Sequence, residues 1–428
     1  MYQKIHILIF FSLLVVLNSM TYAYDNEIVH PNINEAAVRQ SLLHSYLINN
    51  LGAPKGIETT YLDNEVMYWC RQGGTDEDNM PLFLNHFHDP LQEWNDAGFN
   101  ITIEPLSYSS LTYAQLQLAP YSWQKARSAW FNALSTGSEA EYATAFLTLG
   151  HLMHLVSDLA VPAHVRNDSH PIDPDDPLFR WIPQFLWPDS WLADVYEKWA
   201  KNSADEIKFS GVHVDNRIFS NFVQSGAGYL NSPIPITALW DQNRYTFENP
   251  DPNVTKDTNP QFHDIGLSEY TNANFFSFNT IFSTIQYPHP AAEDVTLQID
   301  WLNPEMHVAE DGITDYRPYI WGYAGGTTQI RLAAGSLISY NCLAIGHNGV
   351  PILDDTVHKD YASVLIPRAV GYSASLLDYF FRGSLSVRNA MPQPGVPTVQ
   401  GDGVLQWMTP MWDISAEVQN ISTLGTDE

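Results

Sequence analysis

The sequence predicts a mainly helical protein with a short β-like tail. Three observations predict it: apolar residues recur at helical spacing in several long segments, these segments are bounded by Pro or Gly, and strand-like alternation occurs only near the carboxyl end. The chain has 428 residues, of which 45% are hydrophobic, and this is typical of a globular protein with a large core. The composition therefore argues against a disordered chain.

The first half of the chain predicts four helices. Residues 32–51 carry apolar side chains at helical spacing between a proline and a glycine. A second helix, at 58–71, precedes the acidic, turn-forming stretch GGTDEDNMP. The third and fourth helices cover 112–135 and 139–159, and the fourth ends before Pro162 because proline cannot continue the helical hydrogen bonds.

The second half is less regular. A loop rich in Pro and Asp at 165–190 precedes a helix at 190–207, and 208–330 is predicted as an irregular insertion with one helical piece at 266–285. A strong helical pattern returns at 360–381, and two short strands follow, at 384–389 and 416–423. The predicted organisation is thus a helical domain to residue 383 and a β-like tail at 384–428.

The amino-terminal residues 1–23 predict a cleaved signal peptide. Lys4 precedes an apolar run at 5–17, and small residues lead to Ala23. Cleavage there would make Tyr24 the first residue and place the protein outside the cell or in the periplasm. The alternative is a membrane anchor, for which the run is short of the roughly 20 residues that a spanning helix needs.

Cysteine usage and charge add two constraints. Cys70 and Cys342 can form one disulfide in an exported protein, or remain two buried thiols. The formal net charge of −28 predicts long-range repulsion of polyanions.

The stretch HLMHLVSDLAVPAH, from His151 to His164, carries the strongest functional signal. His154 and Asp158 lie one turn apart on the predicted helix, and the break at Pro162 lets His164 return from the following segment. Imidazole nitrogens and carboxylate oxygens both bind Zn²⁺ at about 2.0–2.2 Å. A purely structural role would need a partner for each buried polar group, since an unpaired one costs roughly 1–3 kcal/mol. We therefore interpret the pattern as a metal site.

Further candidate ligands lie upstream. The segment GGTDEDNMPLFLNHFHDP concentrates acidic and histidine side chains, and His30 lies just before the first predicted helix. Taken alone, the acidic run would be a solvated turn and His30 a helix-start residue. They become candidates because they can join the same cluster.

These motifs resemble those of the zinc-dependent phospholipases C and the related single-strand-specific zinc nucleases. The resemblance rests on HLVSDLAVPAH, on NHFHDP around His86, on EIVH around His30 and on VYEKW around Glu197, and it covers residues 24–383. It implies an all-helical phospholipase C/nuclease-type domain with up to three zinc ions in a cleft. The helical piece at 266–285 is then a candidate cover for that cleft, with Glu269 and His263 as further contributors.

The resemblance also implies a ligand set. Carried over by motif position, the first zinc would be held by Asp78, His86, His154 and Asp158. The third zinc would be held by His30, by Asp158 as a bridge, and by the backbone amino group and carbonyl of Tyr24. His151 matches no ligand of the family and is expected to support the ligands or the fold. His88 is expected to support the ligands or to lie at the surface.

The second zinc site departs from the family pattern. His164 and Glu197 match two of its ligands, but the family histidine four residues before the glutamate is Ala193 here. His170 is the candidate replacement, provided that 171–191 is an insertion that folds away. The completeness of this site decides whether the protein is active.

The expected chemistry is hydrolysis of a phosphodiester by a zinc-bound hydroxide, with Asp78 orienting the water or taking its proton as general base. Because only 20 Lys and Arg face 48 Asp and Glu, the charge favours a phospholipid headgroup over nucleic acid as substrate. Aromatic residues such as Trp69, Tyr270, Phe275 and Phe276 are either pocket or core residues. Two alternatives remain: a nuclease of the same superfamily, and a secreted binding module whose metal centre has no catalytic role.

Overall fold

The structure is a computed structural model. It describes residues 27–79, 82–99, 108–168, 194–219, 234–257, 263–278, 280–281, 287–290, 303–308, 314–335 and 351–383, together with the backbone of strands at 385–393, 398–399, 405–406 and 413–420. The predicted signal peptide, Tyr24, His170, Ala193 and Cys342 lie outside the described residues.

Ten α-helices form nearly half of the described part of the chain. In order they are α1 Val29–Gln40, α2 Leu43–Asn49, α3 Val66–Asp76, α4 Ser110–Gln115, α5 Trp123–Thr136, α6 Glu139–Asp158, α7 Pro162–Val165, α8 Val195–Asn202, α9 Leu267–Asn274 and α10 Asp355–Phe380. Small antiparallel sheets accompany them, so the protein is mainly helical, as predicted.

Helix α6 is the central element, and it packs against α1, α3, α5 and α10. Ser138 caps its amino terminus by accepting a hydrogen bond from the Glu141 amide at 3.4 Å. Every residue from Leu149 to Asp158 is buried. Because this end of the helix has no solvent-facing side, its histidines and aspartate must find partners inside the protein.

Two glycines, Gly73 and Gly150, let α3 and α6 cross in close contact. A Cβ on Gly150 would collide with the carbonyl oxygen of Cys70, and a Cβ on Gly73 would collide with the backbone of α6. Asn34 from α1 bridges the crossing by donating to the carbonyls of Cys70 at 2.9 Å and Gly150 at 3.0 Å. Glycine in a helix interior costs about 1 kcal/mol relative to alanine, and here it permits the approach of the two backbones.

The described strands pair locally. β1 (Thr60–Tyr61) and β2 (Asn64–Glu65) form a short hairpin before α3, and β3 (Glu305–Val308) pairs with β4 (Thr314–Arg317). β5 (Tyr319–Ala324), β6 (Thr328–Gly335) and β7 (Pro351–Ile352) form a three-stranded antiparallel sheet, and β6 packs on α10. In the tail, β8 (Leu385–Gln393) pairs with β11 (Asp413–Asn420), and β9 (Thr398–Val399) pairs with β10 (Leu405–Gln406).

The helices predicted at 139–159 and 360–381 and the β-like tail are confirmed. The single helix predicted at 32–51 is wrong, because two helices, α1 and α2, occupy this segment. The helix breaks after Gln40, where the Leu42 amide donates to Asp378 at 2.6 Å. The one predicted at 112–135 is also two helices, separated around Pro120. In both places a tertiary contact or a proline interrupts an otherwise continuous apolar pattern.

Other boundaries also differ from the prediction. The helix predicted at 58–71 starts only at Val66 because the β1–β2 hairpin, with Leu62 and Asp63 at positive φ, occupies its first turns. The helical piece predicted at 266–285 ends at Asn274, and the segment predicted as irregular to residue 330 holds β3, β4, β5 and the start of β6.

The structure bears on the predicted state of Cys70 and on the alternative of a membrane anchor. Cys70 is a buried free thiol, and burial raises its pKa to about 12. Among the helices that the structure describes, none has the length and hydropathy of a transmembrane span.

Candidate metal centre

The carboxyl end of α6 places two of the predicted ligands side by side. Nε2 of His154 lies 3.4 Å from Oδ2 of Asp158, and both side chains are fully buried. Pro162 ends α6 as expected and starts the short helix α7, which turns the chain back. Nδ1 of His164 thereby comes within 3.6 Å of Oδ1 of Asp158.

His30 reaches the same carboxylate from α1. Its Nε2 lies 3.3 Å from Oδ1 of Asp158, and its ring stacks on that of His154 with 3.7 Å between the centroids. His30 is fully buried, and it contacts Asp158 although the two residues lie far apart in the sequence. The packing of α1 on α6 therefore adds a candidate ligand that no local pattern connects to the helix.

Asp78 and His86 approach from the segment after α3. Nδ1 of His86 lies 3.0 Å from Oδ2 of Asp158 and 3.4 Å from Oδ1 of Asp78. The same Asp78 oxygen lies 3.5 Å from Nε2 of His154. The structure thus brings all four predicted first-zinc ligands together.

These separations fit a metal ion better than they fit hydrogen bonds. Ligand atoms at 2.0–2.1 Å from a tetrahedral zinc are about 3.3–3.4 Å apart, because a tetrahedron's edge is about 1.63 times its centre-to-corner distance. Most contacts of the cluster fall at 3.3–3.6 Å, longer than the usual 2.7–3.2 Å of N–H···O hydrogen bonds. His30, Asp78 and His154 form one group whose donor atoms lie within 4.8 Å of one another, and His86, His154 and Asp158 form a second.

Two of these histidines also have a partner on the side away from the cluster. Nδ1 of His154 donates to the carbonyl oxygen of Gly74 at 2.7 Å, and Nδ1 of His30 lies 2.8 Å from the hydroxyl of Ser157. Metal-binding histidines usually donate their second ring N–H in this way, and the partner fixes which nitrogen faces the ion. The motif comparison missed Gly74 and Ser157, which hold two candidate ligands in this way. The Gly73–Gly74 pair, assigned to a turn from the sequence, was the available signal of close packing.

The electrostatics of the cluster favour a cation. Burial raises the pKa of Asp158 to about 7, despite the opposing effect of His154. Burial lowers the pKa of His154, but the carboxylates of Asp158 and Asp78 outweigh it and hold this pKa well above the ordinary value. Both Asp158 oxygens and Nε2 of His154 are buried and make no hydrogen bond within the described residues. An ion of charge +2 placed among them would satisfy these atoms, so the residues present fit zinc.

His164 and Glu197 form the start of the predicted second site. Nε2 of His164 lies 3.4 Å from Oε1 of Glu197. Asp194 caps α8 and holds Glu197 in place by accepting from the amides of Tyr196 at 2.8 Å and Glu197 at 3.0 Å. The remaining candidate ligand, His170, lies outside the described residues, as does the Tyr24 backbone proposed for the third ion.

Several other residues that the sequence singled out serve the fold instead. Nε2 of His88 is hydrogen-bonded to Asp241 at 3.0 Å, and His263 pairs with Asp257 at 3.0 Å. Glu269 accepts from three backbone amides, those of Gln242, Arg244 and Tyr245. These contacts tie Glu269 and His263 to neighbouring segments of the fold, and their contribution to a cleft stays a prediction. The aromatic residues Tyr270, Phe275 and Phe276 are buried in the core rather than lining a pocket.

Comparison of the chain with protein-family models, with curated proteins and with solved structures finds no match. The resemblance to zinc-dependent phospholipases C and nucleases consequently depends on the motif residues themselves and on the geometry around Asp158.

Proposed function

We propose that the protein is a zinc-dependent hydrolase of phosphodiesters with a phospholipase C/nuclease-type domain. The observation that carries the proposal is that four histidines surround the carboxylate of Asp158. Its Oδ2 faces His86 and His154, whereas its Oδ1 faces His30 and His164. A buried carboxylate with imidazoles on both oxygens is suited to bridge two ions, and two-metal sites of this kind are typical of phosphoryl-transfer hydrolases.

Each group of residues has a role in this proposal. Bound zinc would supply a nucleophile at neutral pH and neutralise the phosphate charge. His86, His154 and Asp158, which are buried, would hold the ions. Asp78, whose Oδ1 faces both His86 and His154, is the candidate to orient the attacking water and accept its proton.

The charge balance favours a phospholipid headgroup as the substrate. Proteins that bind nucleic acid neutralise backbone phosphates with Lys and Arg, and this chain has 20 such residues against 48 Asp and Glu. A zwitterionic headgroup meets less repulsion at an acidic surface. We therefore propose cleavage of the phospholipid headgroup ester, with single-stranded nucleic acid as the alternative substrate.

The test combines metal content with three substrates. Zinc per chain would be measured by mass spectrometry, and hydrolysis would be assayed on phosphatidylcholine vesicles, single-stranded DNA and bis(4-nitrophenyl) phosphate. We expect two or three zinc ions per chain and activity on the vesicles that His154→Ala abolishes and that His44→Ala, at an exposed histidine, leaves unchanged. Zinc binding without activity on any of the three would refute the hydrolase.

A specific observation supports a second candidate, a secreted binding module with a structural metal centre. The proposed ligands that the structure describes are at most 4% exposed. Closed sites are typical of structural zinc, whereas catalytic zinc keeps an open position. The outcome that favours this candidate is stoichiometric zinc, a large loss of thermal stability on chelation and no hydrolysis.

A further inference from the structure

A carboxylate next to the proposed centre has no role in the function derived so far. Glu77 follows the last residue of α3 and is fully buried. Its Oε2 is hydrogen-bonded to Nδ1 of His151 at 2.5 Å. Its Oε1 makes no hydrogen bond within the described residues and lies 3.9 Å from Nε2 of His86.

The two ring nitrogens of His86 face different carboxylates. Nδ1 faces Asp158 at 3.0 Å and Asp78 at 3.4 Å, which are the proposed zinc ligands, and Nε2 faces Glu77. Histidines that bind a metal through one nitrogen commonly donate the other N–H to a carboxylate, which fixes the tautomer and the ring orientation. An adjustment of about 1 Å by either side chain brings the 3.9 Å separation to hydrogen-bonding length.

His151 and Tyr121 hold Glu77 in position. His151 lies on α6, three residues before His154, and is fully buried. The Tyr121 ring stacks on the His151 ring with 3.6 Å between centroids and 5° between the planes. The imidazole is therefore clamped between a hydrogen bond and an aromatic face, and it fixes the carboxylate rotamer in turn.

We propose that Glu77 is the positioning residue of His86, and that His151 fixes Glu77 for this task. Glu77 thus acts on the ion through His86, without being a ligand itself. The inference deepens the proposed function and depends on its metal centre. It also explains why α6 carries a histidine at position 151, one turn before the first ligand, where the family motif needs none.

The test measures metal binding rather than turnover. Zinc dissociation constants would be obtained by competition with a chromophoric chelator, and the zinc-to-protein ratio at saturating zinc by mass spectrometry. Cobalt substitution would report the ligand geometry through its visible absorption spectrum. The control is Asp76→Asn, since Asp76 precedes Glu77 and its carboxylate accepts from Gln72 at 2.8 Å.

We expect Glu77→Gln to weaken the zinc bound by His86 about 10–100-fold while the ratio at saturating zinc stays that of the wild type. His151→Phe, which keeps a flat ring but has no donor, should give a similar loss, and His151→Gln, which keeps a donor, should recover most of it. The double variant E77Q/H151F should bind zinc no more than about threefold less tightly than E77Q, because both changes remove the same support. Asp76→Asn should bind as the wild type does.

Two outcomes would overturn the proposal. Zinc affinity of Glu77→Gln within twofold of the wild type would show that Glu77 does not position His86. Loss of one full equivalent at saturating zinc would show that Glu77 is a ligand. If Glu77→Gln fails to fold, judged by far-UV circular dichroism, the comparison of His151→Phe with His151→Gln decides, since both keep the carboxylate. A wild-type protein that binds no zinc would instead refute the metal centre of the proposed function.

Discussion

Replacing Asp158 with asparagine should change stability in opposite directions with and without zinc. The carboxylate is fully buried among four histidines and makes no hydrogen bond within the described residues. Burial raises its pKa from 3.8 to about 7, so that ionisation in the metal-free fold is unfavourable. Asparagine has nearly the same shape and no charge, and it removes this cost.

The magnitude follows from the two pKa values. The difference between 3.8 and about 7, at about 1.4 kcal/mol per pKa unit, corresponds to roughly 4 kcal/mol. Because the asparagine amide must itself find partners, we expect metal-free Asp158→Asn to be roughly 2–4 kcal/mol more stable than the metal-free wild type at pH 8. A pKa raised on folding means stability that is complete below about pH 4 and lost as the pH rises through 7. The gain at pH 5 should therefore be less than half of that at pH 8.

With zinc bound, the wild type should be more stable than Asp158→Asn. An ion that binds only the folded state at 1,000 times its dissociation constant adds about 4 kcal/mol. Asp158→Asn removes the ligand shared between ions, so most of this stabilisation should be lost. The assay is urea unfolding with and without a chelator at pH 5 and pH 8, with Asp76→Asn as the control. If metal-free Asp158→Asn is less stable than the wild type at pH 8, the protein itself satisfies the carboxylate and the reasoning fails.

Three further predictions concern the residues that build the site. His154→Ala should lower the zinc content by at least one ion per chain, measured by mass spectrometry; unchanged content would refute the central assignment. Gly150→Ala should destabilise the protein by about 1–3 kcal/mol and weaken zinc binding, since its Cβ would collide with the Cys70 carbonyl and push α3 away from α6. An unchanged free energy of unfolding in urea would show that the close crossing is not needed. Asp194→Ala removes two capping hydrogen bonds at the start of α8, so it should lower the free energy of unfolding by about 1 kcal/mol. It should also selectively weaken binding of the ion near Glu197, measured by chelator competition. Equal weakening of the binding of all ions would contradict this.

The sequence pattern was sufficient to predict a feature wherever all the residues that determine this feature lie in one segment. The boundaries of α6 follow from Ser138 at one end and Pro162 at the other, and the spacing of His154, Asp158 and His164 places three candidate ligands around one point. Helical periodicity and proline geometry act within a few residues, so they can be recognised without knowing the fold.

Long-range packing decided the rest. No local rule connects His30 to Ser157 and Asp158, or Glu77 to His151, because these contacts join segments more than 70 residues apart. The strands at β3–β6 were missed because their alternation is irregular and their stability comes from pairing and from packing on α10. The sequence by itself determined which side chains can bind a metal. Only the tertiary structure decided which of them lie next to Asp158 and which, like His88 and Glu269, form hydrogen bonds that stabilise the fold. The reason is that a buried polar group pairs with the partner that packing places within reach.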